Sequence, residues 1–120
     1  MSAIVKRKLS GSTDGKPIKV TGTATASADT IHTAVAGTTA GTYDEIWIFA
    51  QNNSDEPITL TIEFGGTTVP DNVIVCTLAS KAGPQLIIPG LILQNAKVVK
   101  AFASTTNVIS LTGHVNKFTD

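Results

Sequence analysis

The chain has few cysteines, charged residues and aromatic residues, which are the residues that often identify a particular class of protein. Among its 120 residues there is one cysteine, Cys76, so an intrachain disulfide and a zinc site built from cysteines are both excluded. Charged residues make up 15% of the chain and sum to a formal net charge of zero, which is a poor composition for binding a polyanion. Aromatic residues are also scarce, at 5%.

Long apolar runs are missing as well. No run approaches the roughly 20 residues that a membrane-spanning helix needs, so no membrane partner is expected. The first residues, MSAIVKRKLSGS, contain basic side chains but no apolar segment after them, so no signal peptide is predicted. A chain of this length is expected to form one domain.

The residues that are present favour β-structure. Threonine, valine and isoleucine are common, and short apolar or alternating runs are separated by clusters of Gly, Pro, Asn and Asp. The run ITLTIEF alternates cleanly between apolar and polar residues, whereas no segment has the periodicity of a long helix. The sequence predicts an all-β fold, a jelly-roll-like or Greek-key sandwich of about eight short strands. The expected runs are 18–26, 30–36, 45–51, 58–64, 72–78, 85–93, 97–105 and 107–118.

Residues 1–16 are expected to form an N-terminal arm, and residues 17–120 the sandwich domain. The arm is rich in basic and turn-forming residues, but Ile4 and Val5 give it apolar side chains that a simple linker lacks. We expect Ile4, Val5, Lys6, Arg7 and Lys8 to contact a partner.

Few residues are candidates for catalysis, metal binding or nucleic-acid binding. Glu45 and Glu63 lie on runs that could pair as neighbouring strands, and both are expected to point into solvent, where no apolar pocket would raise the pKa of one of them. His32 and His114 are far apart in sequence and lack the spacing of metal ligands. We therefore predict no catalytic residues, no metal and no cofactor, and a protein that is not an enzyme. The cluster of Lys6, Arg7 and Lys8 has no interleaved aromatic residues, so nucleic acid is not an expected partner.

The most informative feature is apolar residues on both faces of one run. In EIWIFAQ one face carries Ile46 and Ile48, while the other carries Trp47 and Phe49. A strand of a small sandwich has only one inner face, so the surplus must be covered by the arm, by loops or by another subunit. Trp47 and Phe49 are our candidates for a subunit contact or a contact between the sheets.

Several segments resemble small virion proteins of tailed bacteriophages, in which a short β-sandwich protein decorates the capsid as a cement. The resemblance is carried by IHTAV, EIWIFAQN, LTIEFGG, IPGL and VVKAFASTTNVISLTGHVN, which span about residues 31–118. It implies trimers on the symmetry axes of the capsid, whose termini grip the major capsid protein. It also implies synthesis in the host cytoplasm and a final location on the capsid surface.

The expected function is therefore that of a non-enzymatic capsid decoration protein, with a homotrimer as the favoured state. Two alternatives stay open at this point. One is a carbohydrate-binding or receptor-binding sandwich module, and the other is a different virion component, such as a head–tail or tail protein.

Overall fold

A computed structural model describes residues 2–120, which form two antiparallel sheets packed as a β-sandwich, and the predicted all-β fold is confirmed. Sheet I has the strand order β1-β9-β4-β7, and β2 also pairs with β9; sheet II has the order β3-β8-β5-β6. The strands are β1 (Ala3–Lys8), β2 (Ile18–Val20), β3 (Asp29–Thr33), β4 (Tyr43–Asn52), β5 (Ile58–Phe64), β6 (Val73–Leu78), β7 (Gln85–Leu93), β8 (Val98–Ala103) and β9 (Ile109–Thr119).

The core lies between the sheets and follows from the period of two in the strands. In β4 every second residue is buried, including Ile46 and Ile48, and these pack toward sheet II. In β5 the predicted inward face is also found, because Ile58, Leu60 and Ile62 are all buried. Alternation sends these β-branched and leucine side chains to one face and leaves the other face for polar residues.

The chain usually changes sheet from one strand to the next. Only β5 and β6 are consecutive strands that pair with each other. The connection from β1 to β2 stays in sheet I, where both strands pair with β9, and every other connection between the strands crosses from one sheet to the other. The run expected over 18–26 is shorter than predicted, because β2 ends at Val20 and a 3₁₀ turn, Thr25–Ser27, follows.

The segment expected to form an arm lies on the sandwich. Residues Ala3–Lys8 form strand β1, which was not among the expected strands and which pairs with β9. Leu9, only 1% exposed, belongs to the core. The next turn approaches β3 so closely that Gly11 donates its N–H to the carbonyl of Ile31 at 2.9 Å. A Cβ at Gly11 would lie 2.5 Å from the carbonyl oxygen of Thr30, so glycine is needed there. Met1, the first residue of the predicted arm, lies outside the described residues.

Strand β7 bends at Pro89 and Gly90. Ile46 pairs with Leu91 but Trp47 pairs with Pro89, so Gly90 is the extra residue of a β-bulge. Gly90 has a φ of 76°, which is the left-handed conformation that glycine adopts without strain. Because β7 is an edge strand, Pro89 can be accommodated without breaking a central ladder.

Candidate interaction surface

Strand β1 forms an open edge of sheet I. Within residues 2–120 its one strand neighbour is β9, and all six of its residues are exposed. Ile4 is 64% exposed and Val5 is 47% exposed, which is unusual for large apolar side chains on an ordered strand. The free backbone groups along such an edge can pair with a strand from another chain.

The register of sheet I divides the predicted arm residues between two faces. Residues directly opposite each other in neighbouring strands point to the same face. Ile4 pairs with Phe118 and Lys6 with Asn116, on the outer face of the sheet, whereas Arg7 pairs with the buried Val115 and faces inward. Val5, between Ile4 and Lys6, faces inward with Arg7.

The fifth predicted arm residue, Lys8, ends the strand and folds back. Its Nζ donates to the carbonyl oxygen of Ser12 at 2.9 Å. The five residues predicted to make one contact are therefore close in space but do not form one uniform surface.

The outer face beside β1 carries an apolar row. Ile4 pairs with Phe118, and Phe118 pairs with Tyr43 on β4. The Tyr43 and Phe118 rings are stacked with centroids 4.9 Å apart. Three adjacent strands thus contribute apolar side chains to one row, and this row runs into the exposed side chain of Ile4.

Trp47 and Phe49 lie on the same outer face, opposite the core residues of β4. The alternative that they make a contact between the sheets is wrong, because Ile46, Ile48 and Ala50 occupy the inner face. Both side chains are half-buried. Phe49 pairs with Leu86 on β7, where apolar side chains are again exposed at Leu86, Leu91 and Ile92. The contact of Trp47 and Phe49 with another subunit stays a prediction.

Much of Trp47 is covered by its own chain. Its indole N–H donates to Oε1 of Glu45 at 2.8 Å, and its ring stacks beside the His114 imidazole with an interplanar angle of 13°. A Cβ at Gly90 would lie 2.8 Å from the ring, which shows how closely the bulge of β7 approaches the indole. The apolar surface of Trp47 is thus covered largely by residues of its own chain.

Glu45 holds this outer face together through its carboxylate. Its Oε1 accepts a second hydrogen bond, from Nδ2 of Asn116 at 3.0 Å. These bonds favour the charged form, so the Asn116 amide, and then the Trp47 indole, lower the pKa of Glu45. Partial burial, and then the positive charge of Lys6, lower the pKa of His114, while Glu45 opposes that shift. Glu45 therefore acts as a hydrogen-bond acceptor in a structural network.

The expectation that Glu45 and Glu63 lie on neighbouring, solvated strand faces is wrong. Strand β4 belongs to sheet I and β5 to sheet II, so the two carboxylates are on different sheets. Glu63 is only 2% exposed, and its Oε1 has no hydrogen-bond partner among the described residues. The sequence places Glu63 correctly on the face opposite Ile62 but gives no sign that this position is buried.

The two histidines also differ. His32 is a buried, hydrogen-bonded imidazole, since its Nε2 lies 2.6 Å from Oδ2 of Asp44 and both side chains are buried. Asp44 was not among the predicted site residues. Its position in phase with Ile46 and Ile48 is a signal in the sequence, because that phase places a carboxylate on the core side of β4.

Within the part of the chain that the structure describes, no group of three or more His, Cys, Asp or Glu side chains is arranged to hold a metal ion. Residues 2–120 likewise include no helix that is long and apolar enough to cross a membrane. Comparison of the chain with protein-family models, with curated proteins and with solved structures gave no match.

Proposed function

We propose that this chain is a non-enzymatic structural protein of a tailed-phage virion, which decorates and stabilises the outside of the capsid. It binds the major capsid protein through β1 and the adjoining outer face of sheet I, and it does so as an oligomer, with a trimer favoured. The observation that carries the proposal is the open, fully exposed edge of β1 with its apolar side chains at Ile4 and Val5.

Strand β1 has the features of a docking edge. Soluble proteins usually protect an edge strand with charges along its length, but here the charges are confined to Lys6, Arg7 and Lys8. The first half of the strand presents apolar side chains and unpaired backbone groups. An extended segment of a partner could add to this edge, gaining main-chain hydrogen bonds and burying both apolar residues.

The outer face extends this contact. From Ile4 the apolar row continues through Phe118 to Tyr43, across two strand spacings of about 5 Å each. A stable protein contact buries roughly 1,200–2,000 Å² in total, more than one edge strand offers, so the adjoining face is needed. Repetition around a shell then multiplies modest individual contacts into strong attachment.

The other edge of sheet I suits contacts between copies. Strand β7 exposes Leu86, Leu91 and Ile92 at the side of the sheet opposite β1. In a ring of three subunits each copy uses two different patches, one for each neighbour. We assign the β7 side to one of these patches, which leaves β1 free for the capsid.

Attachment can be tested with capsids of the encoding phage that lack this protein. The variant Ile4→Asp/Val5→Asp places two charges in the proposed contact, and Val75→Asp is the matched control, because Val75 is 59% exposed on β6, the edge strand of the other sheet. In co-sedimentation, we expect the double variant to bind about 10-fold more weakly or worse, since burying an unpaired charge costs well over 1 kcal/mol. Binding equal to that of Val75→Asp would contradict the proposal.

The oligomeric state is tested separately by light scattering on the purified protein. The proposal predicts a mass three times the 12.4 kDa of the chain. The variant Leu86→Asp/Ile92→Asp should shift this mass toward that of the monomer, whereas Ile4→Asp/Val5→Asp should not. A monomer at all concentrations for the unaltered chain would remove the trimer from the proposal.

A further inference from the structure

The edge of sheet I that contains β1 is basic along its length. Strand β2 continues β1 along the same strand, because β1 pairs with residues 114–119 of β9 and β2 with residues 109–111. Residues 3–20, which form this edge, contain one acidic side chain, that of Asp14. They contain five basic side chains, all of them exposed: Lys6, Arg7, Lys8, Lys16 and Lys19. Because the whole chain has a formal net charge of zero, its positive charge is concentrated at this edge.

The three cations of β1 are not neutralised within residues 2–120. Opposite them on β9 lie an asparagine, a valine and a histidine, and the ion pairs of the chain are formed by other residues. On the outer face the Glu45 carboxylate is two strands away from Lys6, and it already accepts hydrogen bonds from Trp47 and Asn116. Three consecutive cations repel one another, so carboxylates supplied by another chain would be bound favourably.

Strand β1 is divided along its length into an apolar half and a basic half. Ile4 and Val5 are exposed in the first half, and the three cations follow them directly. Successive side chains of a strand point to opposite faces, so each half presents the same chemistry on both faces of the sheet. A strand that adds to this edge therefore matches it with consecutive acidic residues and then consecutive apolar residues, rather than with an alternating pattern.

The inner side of β1 has room for an acidic side chain. A cleft of about 440 Å³ lies beside Arg7 and Lys8 and is also lined by Lys117, which pairs with Val5 on the inner face. Asp44 lines the same cleft, but it is only 4% exposed and its carboxylate is bonded to His32. The exposed charges around this cleft are therefore positive, and a carboxylate placed opposite Arg7 meets cations from two strands.

We propose that the segment of the capsid protein that adds to β1 is an acidic strand, with two or three consecutive Asp or Glu residues followed by two apolar residues. The strand pairs of sheet I are antiparallel. In an antiparallel addition the acidic residues come first, opposite the basic half of β1, and the apolar residues then lie opposite Val5 and Ile4. This inference gives the chemistry of the partner and rests on the proposed function, which assigns β1 to the capsid.

Salt dependence tests the charge of the partner. Co-sedimentation of the full chain with capsids that lack it is measured at about 50 mM and about 500 mM NaCl, between which the Debye length falls from roughly 14 Å to roughly 4 Å. We expect the affinity to fall about 10-fold or more over this range. Lys6→Gln/Arg7→Gln should bind about 5-fold more weakly at the lower salt concentration and lose most of the salt dependence. Lys8 is left in place because its Nζ holds the carbonyl of Ser12.

The matched control is Lys81→Gln/Lys97→Gln, which removes two exposed cations outside sheet I and should behave as the unaltered chain. The two proposals fail in different ways. If Ile4→Asp/Val5→Asp weakens attachment but salt does not, docking through β1 stands and the acidic partner is overturned. If neither β1 variant weakens attachment, the docking edge itself is wrong, and the acidic partner is overturned with it.

Three peptides test the order of the partner residues in an NMR titration of the full chain: TEEEVIT, its reverse TIVEEET, and TKKKVIT, each acetylated and amidated. We expect TEEEVIT to shift the backbone amide signals of Ala3–Lys8 saturably, with a Kd in the millimolar range or tighter and at least about 3-fold below that of the reverse. TKKKVIT should leave these signals unchanged. Equal or tighter binding of the reverse would overturn the antiparallel order. Equal binding of TKKKVIT, or no saturation by TEEEVIT, would overturn the acidic strand.

Discussion

Replacing Gly90 by alanine tests whether Trp47 is covered by its own chain. The φ of 76° is the left-handed conformation, which costs a residue with a Cβ about 1–2 kcal/mol. The new methyl carbon would lie 2.8 Å from one carbon of the Trp47 ring and 3.1 Å from a second, well inside ordinary contact distance. The ring must move, and its 2.8 Å hydrogen bond to Glu45 is then weakened, at a further cost of about 1–2 kcal/mol.

We therefore expect Gly90→Ala to lower the free energy of unfolding by about 2–4 kcal/mol. The same substitution in a Trp47→Ala background should cost only the backbone part, about 1–2 kcal/mol, because the ring is gone. Urea denaturation of the four proteins of this double-mutant cycle gives both values, and the difference is the coupling between the two residues. Equal costs of Gly90→Ala in the two backgrounds would refute the close packing of Gly90 on the indole.

Three further predictions concern stability. Leu9→Ala should lower the free energy of unfolding by about 2–5 kcal/mol in urea denaturation, because it empties a core position, whereas Ile4→Ala should change it by less than about 0.5 kcal/mol. Asp44→Ala should cost about 2–4 kcal/mol, because it leaves the backbone N–H of Val35 and the buried imidazole of His32 without the carboxylate to which both are hydrogen-bonded, while Asp44→Asn should cost clearly less. The lowered pKa of His114 means that the unfolded chain takes up the proton first, so stability should fall as the pH drops below 6.5, and His114→Gln should reduce that fall.

The strands that alternate most clearly in sequence are those that could be predicted. Ile58, Leu60 and Ile62 mark the inner face of β5, and Ile109, Leu111 and Val115 do the same for β9. Period two determines which face a side chain takes, and burial of that face follows. The bend at Pro89 and Gly90 was also readable, because both residues restrict what a strand can do.

Strand partners were not predictable in the same way. Alternation says nothing about which strands are neighbours, and β4 pairs with β9, some 60 residues later, rather than with β5. The expectation that the strands of Glu45 and Glu63 are neighbours was wrong for this reason. The strand at Ala3–Lys8 was missed because its sequence has no alternation, and its pairing with β9 supplies the order that the local sequence lacks.

The contact between His32 and Asp44 shows the same limit. His32 and Asp44 come from different sheets and are brought together only by the packing of β3 on β4. A charged residue in phase with a buried face, as at Asp44, is the sequence signal most worth following. Arg7 was predicted as part of a contact, yet its pairing with Val115 places it on the inner face of sheet I, away from Lys6.

Amide hydrogen exchange tests directly whether β1 is the edge that meets the capsid. Exchange of the free protein is compared with that of the protein bound to capsids, followed by mass spectrometry of peptides from β1 and β6. If β1 is the docking edge, amides in Ala3–Lys8 exchange much more slowly in the bound state, while those in Val73–Leu78 are unchanged. Unchanged exchange across β1, with protection appearing at another edge or face, would contradict it.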